Sequence, residues 1–192
     1  ICYGLIMGLH TRIDETIQTV IAHAEVGNLY INRNIVGAVV GVQPFGGEGL
    51  SGTGPKAGGP IYLYRLMQHC SAKKLATPFA TQVQLTQPAH HPLYELFYSW
   101  AEKSFPQYHL KPCSAFCSGH HYELQGPPGE SNQYVVLPRK RVLSLADQEQ
   151  DQLQQLCAIF AAGSQATVLA ENTFILKYLP KMPKDIADSF AI

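Results

Sequence analysis

Positions 43–60 of the chain read QPFGGEGLSGTGPKAGGP, and no helix or strand of ordinary length can be built from such a run. Glycine disfavours a helix interior by about 1 kcal/mol and proline by about 3 kcal/mol relative to alanine, and proline has no N–H to give a sheet. Eighteen such residues make a long loop in which the backbone itself, not a row of side chains, comes close to something. Long irregular segments in compact proteins are either functional or disordered.

The elements on either side are legible. The chain opens on an apolar run, ICYGLIMGL, too short to cross a bilayer and without an initiating Met, which leads us to expect a cut through a folded element. Thr11 is placed to cap a helix in which Ile13, Ile17, Val20, Ile21 and Ala24 recur at three- and four-residue intervals, with Gly27 to end it. This predicts one amphipathic helix lying on a core. Alternation over 28–32 predicts a strand, followed by VGAVVG, a small-residue stretch, at 36–41.

Residues 67–91 mix polar, Pro and Thr positions and read as a connector. Beyond it, Pro92 suits a first helical turn, and Leu93, Leu96, Phe97, Trp100 and Ala101 form a stripe that reads as core. A Gly-Pro-Pro-Gly turn at 126–129 precedes two expected strands, 134–137 and 142–145. Asp147 is the expected cap of a helix carrying Leu153, Leu156, Cys157 and Phe160, Gly163 its stop, and 166–170 the next strand. Strand, helix, strand at this spacing predicts a right-handed parallel crossover, so both halves are α/β. Residues 188–192 read as stopping without a closing element, a second expected truncation.

With 192 residues and 46% hydrophobic composition the chain can bury a real core, and it reads as one and a half domains. Fourteen basic residues cancel fourteen acidic ones, which leaves no general field for nucleic acid or an anionic membrane. Arg139, Lys140 and Arg141 lack interleaved aromatics and read as a solvated strand connection. Five cysteines without a secretory signal read as reduced thiols of a cytosolic protein.

Three motifs imitate ligand sites. Gly47, Gly49 and Gly52 match the dinucleotide fingerprint, but TGPKAGGP cannot be the helix whose N-terminus would hold a diphosphate. Gly49 to Gly54 with Lys56 imitates a phosphate loop, yet Pro55 intrudes and no Ser or Thr follows the lysine. Cys113, Cys117, His120 and His121, near His109, offer four soft ligands in nine residues, but the cysteine gap is wide and adjacent histidines rarely share one ion. His90 and His91 are expected exposed in the connector.

Residues 4–66 resemble the end of the catalytic domain of aldehyde dehydrogenases. GNLYIN, PFGG and SGTG carry the general likeness, while RNIVGAVVGVQPFGG and GPKAGGP narrow it to the L-glutamate γ-semialdehyde dehydrogenases of proline catabolism. The remainder is similar to the extra C-terminal domain of longer, bifunctional members, through a GP-x-GE-x-N-x-Y-x-V pattern around 126–136. The fold expected is therefore α/β: residues 1–66 as the C-terminal segment of an aldehyde dehydrogenase domain, 67–91 as linker, and 92–192 as a partial Rossmann-like domain.

The resemblance implies oxidation of L-glutamate γ-semialdehyde, the open form of 1-pyrroline-5-carboxylate, to glutamate, with NAD bound mainly by regions upstream of these residues. It implies FAD in the proline dehydrogenase part of the longer enzymes, and homo-oligomers. The family's nucleophilic cysteine and catalytic glutamate match no position here, so no catalytic, cofactor-binding or metal residue is nominated and these residues alone are expected inactive. The substrate-binding residues it does carry over are Gly37 and Ala38, whose backbone N–H groups would hold the substrate's α-carboxylate, and Phe45, which would pack on its aliphatic part. Small residues leave the amides approachable, and each charge-assisted hydrogen bond contributes roughly 1.5–3 kcal/mol. The plainer alternatives are a tight strand-to-loop passage for Gly37 and Ala38, core packing for Phe45, and a non-catalytic module that covers an active site or supports self-association for the second half.

Overall fold

The structure is a computed structural model that describes residues 2–52, 54–59, 61–69, 91–113 and 121–192. It divides into two compact units, Ile1–Val83 with Tyr122–Tyr134, and Gln84–His121 with Val135–Ile192.

In the first unit β1 (Tyr3–Gly4) pairs antiparallel with β4 (Glu48–Gly49), and β2 (Ile6–Leu9) pairs parallel with β3 (Asn28–Ile31) in the register Ile6 to Asn28 through Leu9 to Ile31. Helix α1 (Asp14–His23) is the crossover between the parallel strands, with Asp14 and Glu15 in its first turn complementing its dipole. The apolar N-terminal run is thus strand, not helix. Helix α1 begins later than expected because Thr11 Oγ accepts the Ile13 amide, and the Thr11 backbone is held by both ends of the Asn32 carboxamide at 2.9–3.0 Å. Ile13 becomes the cap, without a side-chain bond. The expected burial of the helix stripe is corrected: no α1 residue is buried, and Ile13 and Ile21 are exposed. Gly27 has another duty than stopping a helix. The helix ends at Ala24, and a Cβ on Gly27 would collide with the Gly46 carbonyl oxygen, so this glycine lets β3 approach the glycine-rich loop.

The same unit includes strands β5 (His121–Leu124) and β6 (Asn132–Val135), paired across the Gly-Pro-Pro-Gly turn. Residues 36–41 join no strand.

The second unit is built on a three-stranded parallel sheet, β7 (Arg141–Leu143), β8 (Gln165–Thr167) and β9 (Phe190–Ala191), in that order. Helices α2 (Pro92–Ser104) and α3 (Glu149–Ala161) pack on one another, and short helices α4 (Thr173–Tyr178) and α5 (Lys184–Ala187) lead to β9. Residues 190–191 therefore close the sheet, which corrects the reading of the last residues as lacking a closing element. Gly163, at φ +74°, ends α3 as expected, with its amide on the Phe160 carbonyl. Asp147 is not the cap; Gln148 is, and makes no side-chain bond.

The core is apolar and aromatic: Phe97, Ala101, Leu153, Leu156, Cys157, Phe160, Ala166, Ile175 and Ile186 are fully buried, with the Phe97 and Phe160 rings 5.0 Å apart. On α2 the inward face is Tyr94, Phe97 and Ala101, while Leu96 points outward. His91, expected exposed, is half-buried and caps α2, its Nδ1 accepting the Leu93 amide at 3.3 Å. Among the described residues no helix is long and apolar enough to cross a membrane.

Candidate functional site

Two loop segments of the first unit carry the residues nominated from the sequence. The first is the PFGG turn. Phe45 and Ala57 exchange both backbone bonds, at 3.0 and 2.9 Å, so the long loop folds back on itself. Asn28, at the start of β3, donates from Nδ2 to the Pro44 carbonyl at 2.9 Å and accepts the Gly46 amide on Oδ1 at 3.2 Å. Lys56 Nζ closes the arrangement on the Gly46 carbonyl at 3.2 Å and Asn28 Oδ1 at 3.4 Å. Burial of that ammonium pushes its pKa down, partly offset by the Glu48 carboxylate. Phe45 is thereby held half-buried on a rigid turn.

The second segment is 34–43. Asn34 Oδ1 accepts the Val36 amide at 3.2 Å, and the Gly37 amide turns back onto the Ile35 carbonyl at 2.9 Å with Gly37 at φ +68°. Downstream, the Val39 carbonyl takes the amides of Val42 and Gln43, both at 3.0 Å, and the Val39 amide bonds to Gln43 Oε1 at 2.9 Å. The two nominated donors therefore differ. Gly37 N–H is engaged within its own turn, whereas the Ala38 amide lies outside every ladder and takes no part in the backbone bonds of this segment. A Cβ built on Gly37 meets nothing within 4 Å, so open space flanks the turn. Gly37, Ala38 and Phe45 all fall in the first unit, on the one continuous segment that runs from β3 to β4.

Sequence reading missed the side chains that hold these loops. Gln43 is 8% exposed, a buried carboxamide between an apolar stretch and the glycine-rich run, and that contrast was a usable signal. Its partners were not legible: Gln43 Nε2 donates to Glu130 Oε2 and Asn132 Oδ1, both at 3.3 Å and nearly ninety positions away. Glu130 Oε2 also receives Arg33 Nη1 at 3.2 Å, and the Arg33 guanidinium lies 5.0 Å from the Tyr30 ring centroid.

In the second unit the turn after β7 occupies the place where doubly wound sheets bind ligands. Here Gln155 Oε1 already accepts Ser144 Oγ and the amides of Leu145 and Ala146 at 3.0–3.2 Å, and Glu149 and Asp151 put negative charge in the first turn of α3. Donors so engaged, beside carboxylates, do not suit a phosphate. Cys113 sits beside Tyr94, its amide donating to the phenol oxygen at 3.0 Å, and burial raises its thiol pKa. Cys117 and His120 lie outside the described residues; His121 opens β5 and His109 is exposed.

Residues 1–71 match the profile of the Aldehyde dehydrogenase family. The bifunctional protein PutA of Salmonella typhimurium is 49% identical over 196 residues, 96% of this chain and 14% of that protein. The 1-pyrroline-5-carboxylate dehydrogenase of Bacillus subtilis is 52% identical over 66 residues, 34% of this chain and 13% of that protein. A solved structure of proline utilization A from Corynebacterium freiburgense aligns with 90% of the chain at 22% identity and a TM-score of 0.50, a likeness of fold. The N-terminal 71 residues are thus similar to the aldehyde dehydrogenase family, and the fold is α/β. Over most of its length the chain is a homologue of the bifunctional PutA proteins, and it spans about one seventh of their length, 14% in the Salmonella case.

Proposed function

We propose that this chain contributes the substrate-carboxylate anchor of an NAD-dependent L-glutamate γ-semialdehyde dehydrogenase acting in proline catabolism. The observation that carries the reading is the Ala38 amide, held outside any ladder on a turn flanked by open space. A carboxylate approaching there meets backbone donors without side-chain bulk, and discrimination against an uncarboxylated aldehyde follows from the charge-assisted bonds it gains. Phe45, fixed by the Asn28 clamp, supplies the apolar wall for the substrate's methylene carbons. Because Gly37 N–H already bonds to Ile35, a second anchoring bond requires that turn to open, which assigns Ala38 the larger share.

In this reading the nucleophilic cysteine and the catalytic glutamate are not among these residues, and NAD when bound would supply the hydride acceptor. Among the described residues, the glycine-rich loop and the turn after β7 offer no cradle suited to its diphosphate. FAD in the proline dehydrogenase part of a longer bifunctional enzyme, a homo-oligomeric state and a cytoplasmic location belong to the same proposal, which the PutA homology supports.

The test is kinetic. With this sequence grafted in place of the aligned residues of the Salmonella relative, Ala38→Leu should raise KM for glutamate semialdehyde about tenfold or more, and KM for propanal little. Equal effects on the two aldehydes overturn the assignment.

A second reading, for the other unit, is a non-catalytic α/β module that covers the active site or supports self-association. The Gln155-tied turn and its acidic surroundings favour it. Removing the residues after Arg65 from the grafted enzyme should change its kinetics or its oligomer size; no change in either counts against it.

A further inference from the structure

We infer that Gln43 is a positioning residue for the anchor loop, and that Glu130 and Asn132 on the β5–β6 hairpin make that hairpin a determinant of substrate selectivity. The inference rests on the anchor reading of Ala38.

The segment presenting Ala38 is pinned on both sides. Upstream, Asn34 Oδ1 holds the Val36 amide; downstream, Gln43 Oε1 holds the Val39 amide at 2.9 Å. The Ala38 and Val39 amides belong to adjacent peptide planes joined by the φ and ψ of Ala38 alone, so fixing the Val39 amide narrows the directions open to the Ala38 N–H. The second half of the Gln43 carboxamide is what fixes the first. Its Nε2 donates to Glu130 Oε2 and Asn132 Oδ1, both at 3.3 Å, and with the side chain almost fully buried it has no solvent alternative. Turning the amide over would set Nε2 against the Val39 N–H and Oε1 against a carboxylate, so the hairpin selects one orientation.

The hairpin is itself held for this task. Glu130 is shared with Arg33, which lies against the ring of buried Tyr30 in β3, so the contact runs from a strand through Arg33 and Glu130 to Gln43. Asn132 Nδ2 is buried without a hydrogen-bond partner among the described residues, although exchanging its two amide atoms would only oppose two donors at Gln43. An orphan donor is tolerated because the oxygen is needed facing Gln43. Gly126 makes the space, since a Cβ there would collide with Asn132 Nδ2.

The experiment uses the same grafted enzyme and measures KM for glutamate semialdehyde against KM for propanal. Gln43→Met and, separately, the partly exposed Glu130→Ala should each raise the ratio of the two roughly tenfold, a displacement effect of the size that misplaced binding groups produce. Gln43→Glu should lower selectivity by setting two carboxylates together, and adding Glu130→Gln should restore it, a rescue that loss of general stability would not give. In the 192-residue chain, hydrogen exchange at the Val39 amide should quicken in Gln43→Met and Glu130→Ala. Should Ala38→Leu alter the ratio while Gln43→Met, Glu130→Ala and Gln43→Glu leave it fixed, the positioning role is overturned and the anchor survives. Should Ala38→Leu leave the ratio fixed as well, the anchor reading fails and this inference falls with it. If Gln43→Met does not accumulate as folded enzyme, Glu130→Ala and the rescue pair decide.

Discussion

Asn28 and Gly46 face each other across the base of the PFGG turn, with the Gly46 amide on Asn28 Oδ1 at 3.2 Å and the Asn28 Nδ2 returned to the neighbouring Pro44 carbonyl at 2.9 Å. One strand residue thus clamps both flanks of Phe45. Asn28→Ala removes both bonds and leaves the Gly46 amide and Pro44 carbonyl to find new partners, a loss of about 1–3 kcal/mol. The amides of Phe45 and Ala57, each of which donates to the other residue's carbonyl, should then exchange faster, while those of α3 do not change. Unchanged protection at Phe45 would refute the clamp.

Gly27→Ala tests the close approach of β3 to the same loop. The added carbon would strike the Gly46 carbonyl oxygen, a backbone atom that cannot swing aside, so the expected cost is about 1–3 kcal/mol despite alanine's lower chain entropy. A neutral or stabilised variant in hydrogen exchange at Phe45 and Ala57 would show that the loop yields freely.

In the second unit Phe160 is fully buried between Phe97, at 5.0 Å between ring centroids, and Phe190, at 5.6 Å. Phe160→Ala should destabilise this unit by about 3–5 kcal/mol, because the ring's transfer energy is lost and a cavity remains. Trp100, the single tryptophan, packs against the same core and reports the urea transition by fluorescence.

Burial in that core lifts the Cys157 thiol pKa from the usual 9.0 to about 12. The unfolded chain therefore gives up this proton first, the native state binds more protons across the interval, and stability falls as pH rises from about 9 to about 12. Below pH 9 the thiol is protonated in both states and contributes no slope. Cys157→Ala should be less stable throughout but lose less between those limits, as measured by urea unfolding at a series of pH values. Parallel losses in the two proteins would assign the alkaline sensitivity elsewhere.

Much of the fold was legible because it is local. Period-three-and-four apolar spacing marked α2 and α3, Pro92 and Gly163 marked a start and a stop, and β-branched runs marked β6, β7 and β8 within three residues. Boundaries moved where a side chain bonded elsewhere, as with Thr11, whose hydroxyl holds Ile13 and whose backbone answers Asn32. The α1 stripe has the right period for a buried face, yet period records only that a face is apolar, not what covers it.

The glycine and proline crowding of 43–60 by itself forced a loop whose backbone is open to close contact, since the described residues there hold no helix and enter only the two-residue β4 and a single bridge. Small residues at 37 and 38 likewise kept side-chain bulk away from the amides there, although the Gly37 N–H is taken by the Ile35 carbonyl two positions before it. How the loop that follows them is held was decided only by tertiary structure: the Gln43 carboxamide is oriented by Glu130 and Asn132 from a hairpin 87 and 89 positions further along. Hydrogen bonds between residues so far apart depend on where two loops come to rest in space, and no local pattern of residue types encodes that meeting.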